Sequence, residues 1–165
     1  MCNVLVLYVS RTGNTKLMAH AVVKGAQSVQ GVEVVSHQIG DPFAVSVLRD
    51  ANALLLGSPT IYGGIAPEMK SFLQAVQDNS DVLELPGKVG AVFGSYGWDT
   101  GFALAGLNSY LTALGITVVA NPVSAVDYRG HHGIRIHQDA LQRCYALGRR
   151  VAQQLGRSHE AGKPT

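Results

Sequence analysis

Short, wholly apolar runs alternate with longer amphipathic segments along almost the entire length of this chain. Val4 to Val9 is an unbroken apolar run and reads as a buried strand. Lys16 to Val29 repeats apolar residues at helical spacing, with Met18, Ala21, Val22, Gly25 and Val29 on one face. The same two-beat pattern recurs. Val32 to His37 reads as a strand and Pro42 to Arg49 as a short helix. Ala53 to Gly57 is a third strand, followed by a helix over Pro67 to Val76 with proline in its first turn and Glu68 beside it. Val89 to Gly94 is a fourth strand. A helix over Phe102 to Leu114 then carries Leu104, Leu107, Leu111 and Leu114 on one stripe and stops at Gly115. Ile116 to Ala120 is a fifth strand, with a second strand-like stretch at Val123 to Val126 as its continuation, and Asp139 to Leu155 is the last helix. Strict alternation of this kind demands a parallel sheet covered by helices on both faces. Five units of this length fit the doubly wound α/β architecture with strand order 2-1-3-4-5.

Composition narrows the class. With 165 residues, 47% of them apolar, the chain supports one domain with a full core; residues 1–155 carry the pattern, and 156–165 read as a polar C-terminal tail. Cys2 and Cys144 are isolated thiols with no Cys-x-x-Cys spacing, as expected in a reducing, cytoplasmic setting. Cys144 shares an apolar stripe with Leu141, Tyr145 and Gly148 and reads as a buried space-filler. The first residues show no basic leader, and Val4 to Val9 is too short to span a bilayer, so a soluble, untargeted protein with no membrane association is expected. The formal charge is +2 and its basic residues are dispersed, which disfavours nucleic-acid binding.

The most informative local feature is the turn Ser10-Arg11-Thr12-Gly13-Asn14-Thr15 between the first strand and the first helix. Hydroxyls, backbone N–H groups and the positive end of a helix converge there on a position suited to an anion. Taken alone, the same residues serve equally as a plain helix cap, with Thr12, Asn14 or Thr15 capping. Two other phosphate devices are missing: there is no Gly-x-x-x-x-Gly-Lys-Ser/Thr in the chain and no Gly-x-Gly-x-x-Gly after the first strand.

Topology adds what the turn lacks. In the order 2-1-3-4-5, strands one, three and four are neighbours, and ligands bind beyond their carboxyl ends. The loops there are Ser10 to Thr15, Ser58-Pro59-Thr60-Ile61-Tyr62-Gly63-Gly64, and Gly94-Ser95-Tyr96-Gly97-Trp98-Asp99-Thr100-Gly101. Tyr62, Tyr96 and Trp98 offer flat apolar faces, and the glycines allow a planar ligand edge to approach the backbone. An anion cradle beside two aromatic, glycine-rich loops describes a site for a phosphorylated planar heterocycle.

At these residues the chain resembles the flavodoxins. Ser10-Arg11-Thr12-Gly13-Asn14-Thr15 is similar to their FMN phosphate loop, with Ser10 where threonine is common. Gly57-Ser58-Pro59-Thr60 with Tyr62-Gly63-Gly64, and Gly94-Ser95-Tyr96-Gly97-Trp98, look more like the flavodoxin domain of flavodiiron proteins, although the di-iron domain itself is not part of this sequence. The resemblance implies an FMN-binding electron-transfer protein that passes electrons between redox partner proteins, with a reductase as donor, working as a monomer or weak homodimer. It places the phosphate on Ser10, Thr12, Gly13, Asn14 and Thr15. Arg11 either adds charge there or points to solvent, and the second is favoured. The isoalloxazine would lie between Pro59, Thr60, Ile61, Tyr62, Gly63 and Gly64 on one side and Ser95, Tyr96, Gly97, Trp98, Asp99 and Gly101 on the other. Gly63 and Gly64 would supply a peptide able to reorient on flavin reduction. Many flavodoxins are strongly acidic, whereas Asp99 is the only carboxylate in these three loops. A less negative potential for the fully reduced flavin and a different docking partner are therefore expected.

Two other readings compete. An NAD(P)H-dependent quinone or FMN reductase on the same fold would need room for nicotinamide over the flavin, and no inserted segment supplies it. A flavin-free partner-binding module would leave the aromatic loops without a ligand. His131, His132 and His137 sit in a polar, glycine-containing loop with no cysteine or carboxylate at ligand spacing, so an exposed loop is favoured over a metal site. Asp78, Asp81 and Glu84 read as solvated loop residues.

Overall fold

Val4 to Val9 forms the centre of the molecule because its side chains alternate between two apolar layers, and both are closed over. The structure is a computed structural model that describes residues 2–97, 102–127 and 136–161. Strand β1 (Cys2–Tyr8) is followed by α1 (Asn14–Gln27), β2 (Val32–Gln38), α2 (Ser46–Asp50) and β3 (Ala53–Gly57). A two-stranded hairpin comes next, β4 (Thr60–Ile61) and β5 (Gly64–Ile65), then α3 (Pro67–Asp78) and α4 (Ser80–Leu83). The chain finishes with β6 (Val89–Tyr96), α5 (Phe102–Ala113), β7 (Thr117–Val118), β8 (Val123–Val126) and α6 (Gln138–Ala161).

The main sheet is parallel throughout, in the order β2-β1-β3-β6, with β7 and then β8 both pairing along the far side of β6. This is the doubly wound order expected from the sequence, with the fifth strand in two pieces. The interruption has a local cause. Gly90 pairs with Val118 and Phe93 with Val123, so β6 spends two residues where its partner spends four. Pro122 lies in that excess and has no N–H to donate to a ladder.

Two cores result. Val4, Val6, Tyr8, Ala53, Leu55, Ala91 and Phe93 pack under α1 and α6, against Met18, Val22, Cys144, Leu147 and Val151. Leu5, Leu7, Val9, Leu54, Leu56 and Val92 pack on the other face, against Leu48, Met69, Leu73, Leu107 and Leu111. Buried Cys144 is the space-filler its stripe predicts, and burial pushes its thiol pKa up to about 12. Tyr145, on the same stripe, is instead partly exposed.

Several boundaries differ from the pattern, β6 running on to Tyr96 among them. Helix α2 begins at Ser46 rather than near Pro42. The segment holding Asp81 is not plain loop but the short helix α4, anchored by buried Leu83. Helix α6 runs on to Ala161, past Leu155, because helical hydrogen bonding continues after the apolar stripe ends. Among the described residues no helix is long and apolar enough to cross a membrane.

Candidate functional site

The carboxyl ends of β1, β3 and β6 bring the three odd loops to one edge of the sheet. Val9 N–H donates to the carbonyl of Gly57 at 3.0 Å, and Ser58 N–H donates to that of Phe93 at 3.2 Å. The loops therefore leave the sheet from strands that are still hydrogen-bonded to one another.

In the first loop, helix α1 is capped by neither threonine nor asparagine. Its N-cap is Gly13, in the left-handed conformation at φ 93°, with no side-chain cap. A Cβ at Gly13 would meet nothing within 4 Å, so this glycine answers to its backbone angle rather than to crowding. Ser10 Oγ accepts from Lys16 N–H at 3.1 Å, which folds the turn back over the first turn of the helix. Asn14 donates through Nδ2 to Thr12 Oγ1 at 3.3 Å. Thr15 is buried, and its hydroxyl lies 3.0 Å from the hydroxyl of Ser95 at the end of β6. That pair joins the first loop to the third.

Arg11 does not reach into the turn. Its Nε donates to Glu68 Oε1 at 3.1 Å, and its Nη2 donates to Oε1 at 2.9 Å and to Oε2 at 3.0 Å. Hydrogen bonding to Arg11 lowers the pKa of the Glu68 carboxyl, and the same bonds raise that of the guanidinium. Glu68, which the sequence offered only as a favourable charge at the start of α3, thus joins the first turn of that helix, just beyond the second loop, to the first loop.

The second loop is more ordered than its composition suggested. Thr60 pairs with Ile65 and Ile61 with Gly64, leaving Tyr62 and Gly63 as a two-residue tip. Both tip residues have positive φ, 48° and 76°, the signature of a type I′ hairpin. Ile61 and Ile65 face the core beneath, and Ile65 lies against Gly106 of α5, where a Cβ would meet Ile65 Cδ1 at 2.8 Å. Tyr62 is fully exposed above them. The base is closed by Ser58, whose buried Oγ donates to the Pro59 carbonyl at 2.8 Å and accepts from Ala66 N–H at 3.0 Å. The sequence does not single out Ser58 for this role, because a buried serine bracketing a short hairpin leaves no sequence pattern of its own.

The first part of the expected third loop, Gly94 to Tyr96, is instead the end of β6, paired with β8; Ser95 is buried, Tyr96 half-buried, and Gly97 beyond them exposed. Gly94 allows this strand to approach its neighbour, since a Cβ there would lie 2.1 Å from the Ser58 carbonyl oxygen. Trp98, Asp99 and Gly101 lie outside the described residues, as do His131 and His132. His137 is described, and its Nδ1 accepts from Asp139 N–H at 3.2 Å as a cap on α6. No group of three or more His, Cys, Asp or Glu residues suited to a metal occurs among the described residues.

The cradle fits a phosphate by its donor chemistry. It combines small hydroxyls, the N-terminus of a 14-residue helix whose N-cap residue carries no capping side chain, and a left-handed glycine that keeps side-chain bulk out of the turn. The hairpin beside it offers an exposed aromatic face and glycine backbone, as a planar ring system requires.

Comparison with known proteins agrees with that chemistry. The flavodoxin family model matches residues 6–146. A flavodoxin of Aquifex aeolicus is 33% identical over 169 residues, covering 93% of this chain and 86% of that protein. A nitric oxide reductase of Moorella thermoacetica is 35% identical over 147 residues, but this chain spans only 33% of its length. Among solved structures, a flavodoxin from the domain Archaea superimposes with a TM-score of 0.77 at 29% identity, over 93% of this chain and 99% of that one.

Proposed function

The chain belongs to the flavodoxin family and is a flavodoxin-like, FMN-binding electron-transfer protein, and from that premise we propose which of its residues hold the cofactor. The hydroxyls of Ser10 and Thr12 and the backbone N–H groups of Gly13, Asn14 and Thr15 take the phosphate, with the α1 dipole behind them. Either hydroxyl of the Thr15–Ser95 pair can be the donor, and with Ser95 in that role the Thr15 proton is left for the anion. The glycine-led start of α1, with no capping side chain at its N-cap residue, is the observation that carries this assignment.

The 59–64 hairpin takes one face of the isoalloxazine, with Tyr62 as its aromatic cover, and Ser95, Tyr96, Gly97, Trp98, Asp99 and Gly101 take the other. FMN, once bound, supplies one-electron and two-electron transfer through its ring system. The protein's part is to hold the ring rigidly, exclude water from its faces and present hydrogen-bonding backbone at its edge. Gly63 and Gly64 are suited to the last role, since glycine passes between backbone conformations at low cost.

We assign the chain as a carrier between redox partner proteins, with a reductase as donor, acting in the cytoplasm as a monomer or weak homodimer. Its formal charge of +2 argues for a partner that does not rely on a strongly acidic carrier surface. Adding FMN to apoprotein is expected to give a yellow one-to-one complex that NADPH alone reduces only slowly. Rapid bleaching by NADPH would instead make it a reductase, and protein that stays colourless would remove the site assignment.

A further inference from the structure

We propose that Arg11 and Glu68 are a positioning pair, a clasp that fixes the distance between the phosphate cradle and the ring-binding hairpin; the inference rests on the FMN assignment above. The pair joins residues 57 apart in sequence through three hydrogen bonds of 2.9 to 3.1 Å. Both side chains are nearly half exposed, at 46% and 45%. A lone ion pair so exposed contributes little to global stability. Its leverage comes from what it connects.

Arg11 follows Ser10 in the cradle. Glu68 sits in the first turn of α3, two residues after Ala66, and Ala66 N–H is held by Ser58 at the root of the hairpin. A displacement of α3 therefore moves the hairpin relative to the cradle unless the clasp resists it. On the other side, the Thr15–Ser95 hydroxyl pair already ties the cradle to β6. The clasp supplies the matching tie toward the hairpin, so that all three loops meet the ligand as one surface.

A ligand that touches both cradle and hairpin gains from their being pre-set, because less ordering remains to be done on binding. A ligand that touches the cradle alone gains nothing. The geometry also tells against Arg11 as a phosphate ligand, since Nε and Nη2 are turned onto Glu68 and the charge is met there.

The test uses the apoprotein with two probes, FMN by fluorescence quenching and inorganic phosphate by NMR titration of the Gly13 amide. Arg11→Ala and Glu68→Ala are each expected to raise the FMN Kd about threefold to fivefold. The double variant should be no weaker than either single one, as for two halves of one contact. Phosphate affinity should stay within about twofold of wild type in all three. If Arg11→Ala weakens phosphate several-fold while Glu68→Ala does not, Arg11 is a direct anion ligand and the clasp is overturned. Unchanged FMN affinity in every variant would overturn it too, reducing the pair to a surface contact. Wild-type apoprotein that takes up no FMN overturns the underlying site assignment, a result distinguishable because it needs no variant.

Discussion

A Cβ placed on Gly148 would lie 1.9 Å from the carbonyl oxygen of Val22, so α6 and α1 touch backbone to backbone at this point. Gly25 repeats the contact from the other side, 1.9 Å from the carbonyl oxygen of Tyr145. Neither obstacle is a flexible side chain, so the helices must separate to admit a methyl group. Alanine would gain about 1 kcal/mol in helix propensity, but overpacking typically costs about 1–3 kcal/mol and sometimes more. Gly148→Ala is therefore expected to lower the urea midpoint. It should also weaken FMN binding, because α1 carries the cradle.

Tyr62 holds φ at 48° with its ring fully exposed. A non-glycine residue in this region costs on the order of 1 kcal/mol, and no apolar burial in the described structure offsets it. Tyr62→Gly should stabilise the apoprotein by about that amount. It should also raise the FMN Kd roughly twofold to tenfold through loss of a stacking face. Opposite signs in a thermal melt and a flavin titration are the expected outcome; a change of the same sign in both would show the ring serves the fold.

Ser58 Oγ accepts from the buried N–H of Ala66 and donates to the Pro59 carbonyl. Ser58→Ala strands the first of these, at a cost of about 1–3 kcal/mol. Loss is expected at the hairpin before the rest of the sheet, read as faster amide exchange at Ala66 than at Leu55.

Burial pushes the Cys144 thiol up to about 12, while neighbouring Arg143 pulls weakly the other way. Below pH 9 the thiol is protonated whether folded or unfolded. Above it the unfolded chain loses a proton that the folded chain keeps, so stability falls as pH rises from 9 toward 12, by up to about 1.4 kcal/mol per pH unit. Wild type minus Cys144→Ala, measured by denaturant unfolding, should show this slope. In a Cys2→Ser background, a thiol reagent at pH 8 should label Cys144 only as fast as the protein opens.

Much of the fold was legible because burial on both faces leaves a plain pattern. The runs Val4–Val9 and Ala53–Gly57 admit few other readings, and Pro67 and Gly115 mark helix ends for reasons local to the backbone. The split of the fifth strand was visible in outline as the two stretches Ile116 to Ala120 and Val123 to Val126, but the part of Pro122 was not, and the register that produces the split is set by β6. Tyr62-Gly63 was readable as an unusual loop, not as a type I′ tip, since tyrosine is a poor residue for positive φ. The capping alternatives at Thr12, Asn14 and Thr15 gave way to Gly13 because backbone angle, not side-chain chemistry, sets where α1 begins.

The sequence by itself determined the layers, the strand order and the three loops that meet at one sheet edge, because hydrophobic periodicity and strand–helix alternation are local and cumulative. Only the tertiary structure decided that Arg11 faces Glu68, that Thr15 meets Ser95, and that Gly25 and Gly148 let two helices touch. Those pairings join residues 57, 80 and more than a hundred positions apart. Each is fixed by where packed elements end up, which no local pattern encodes.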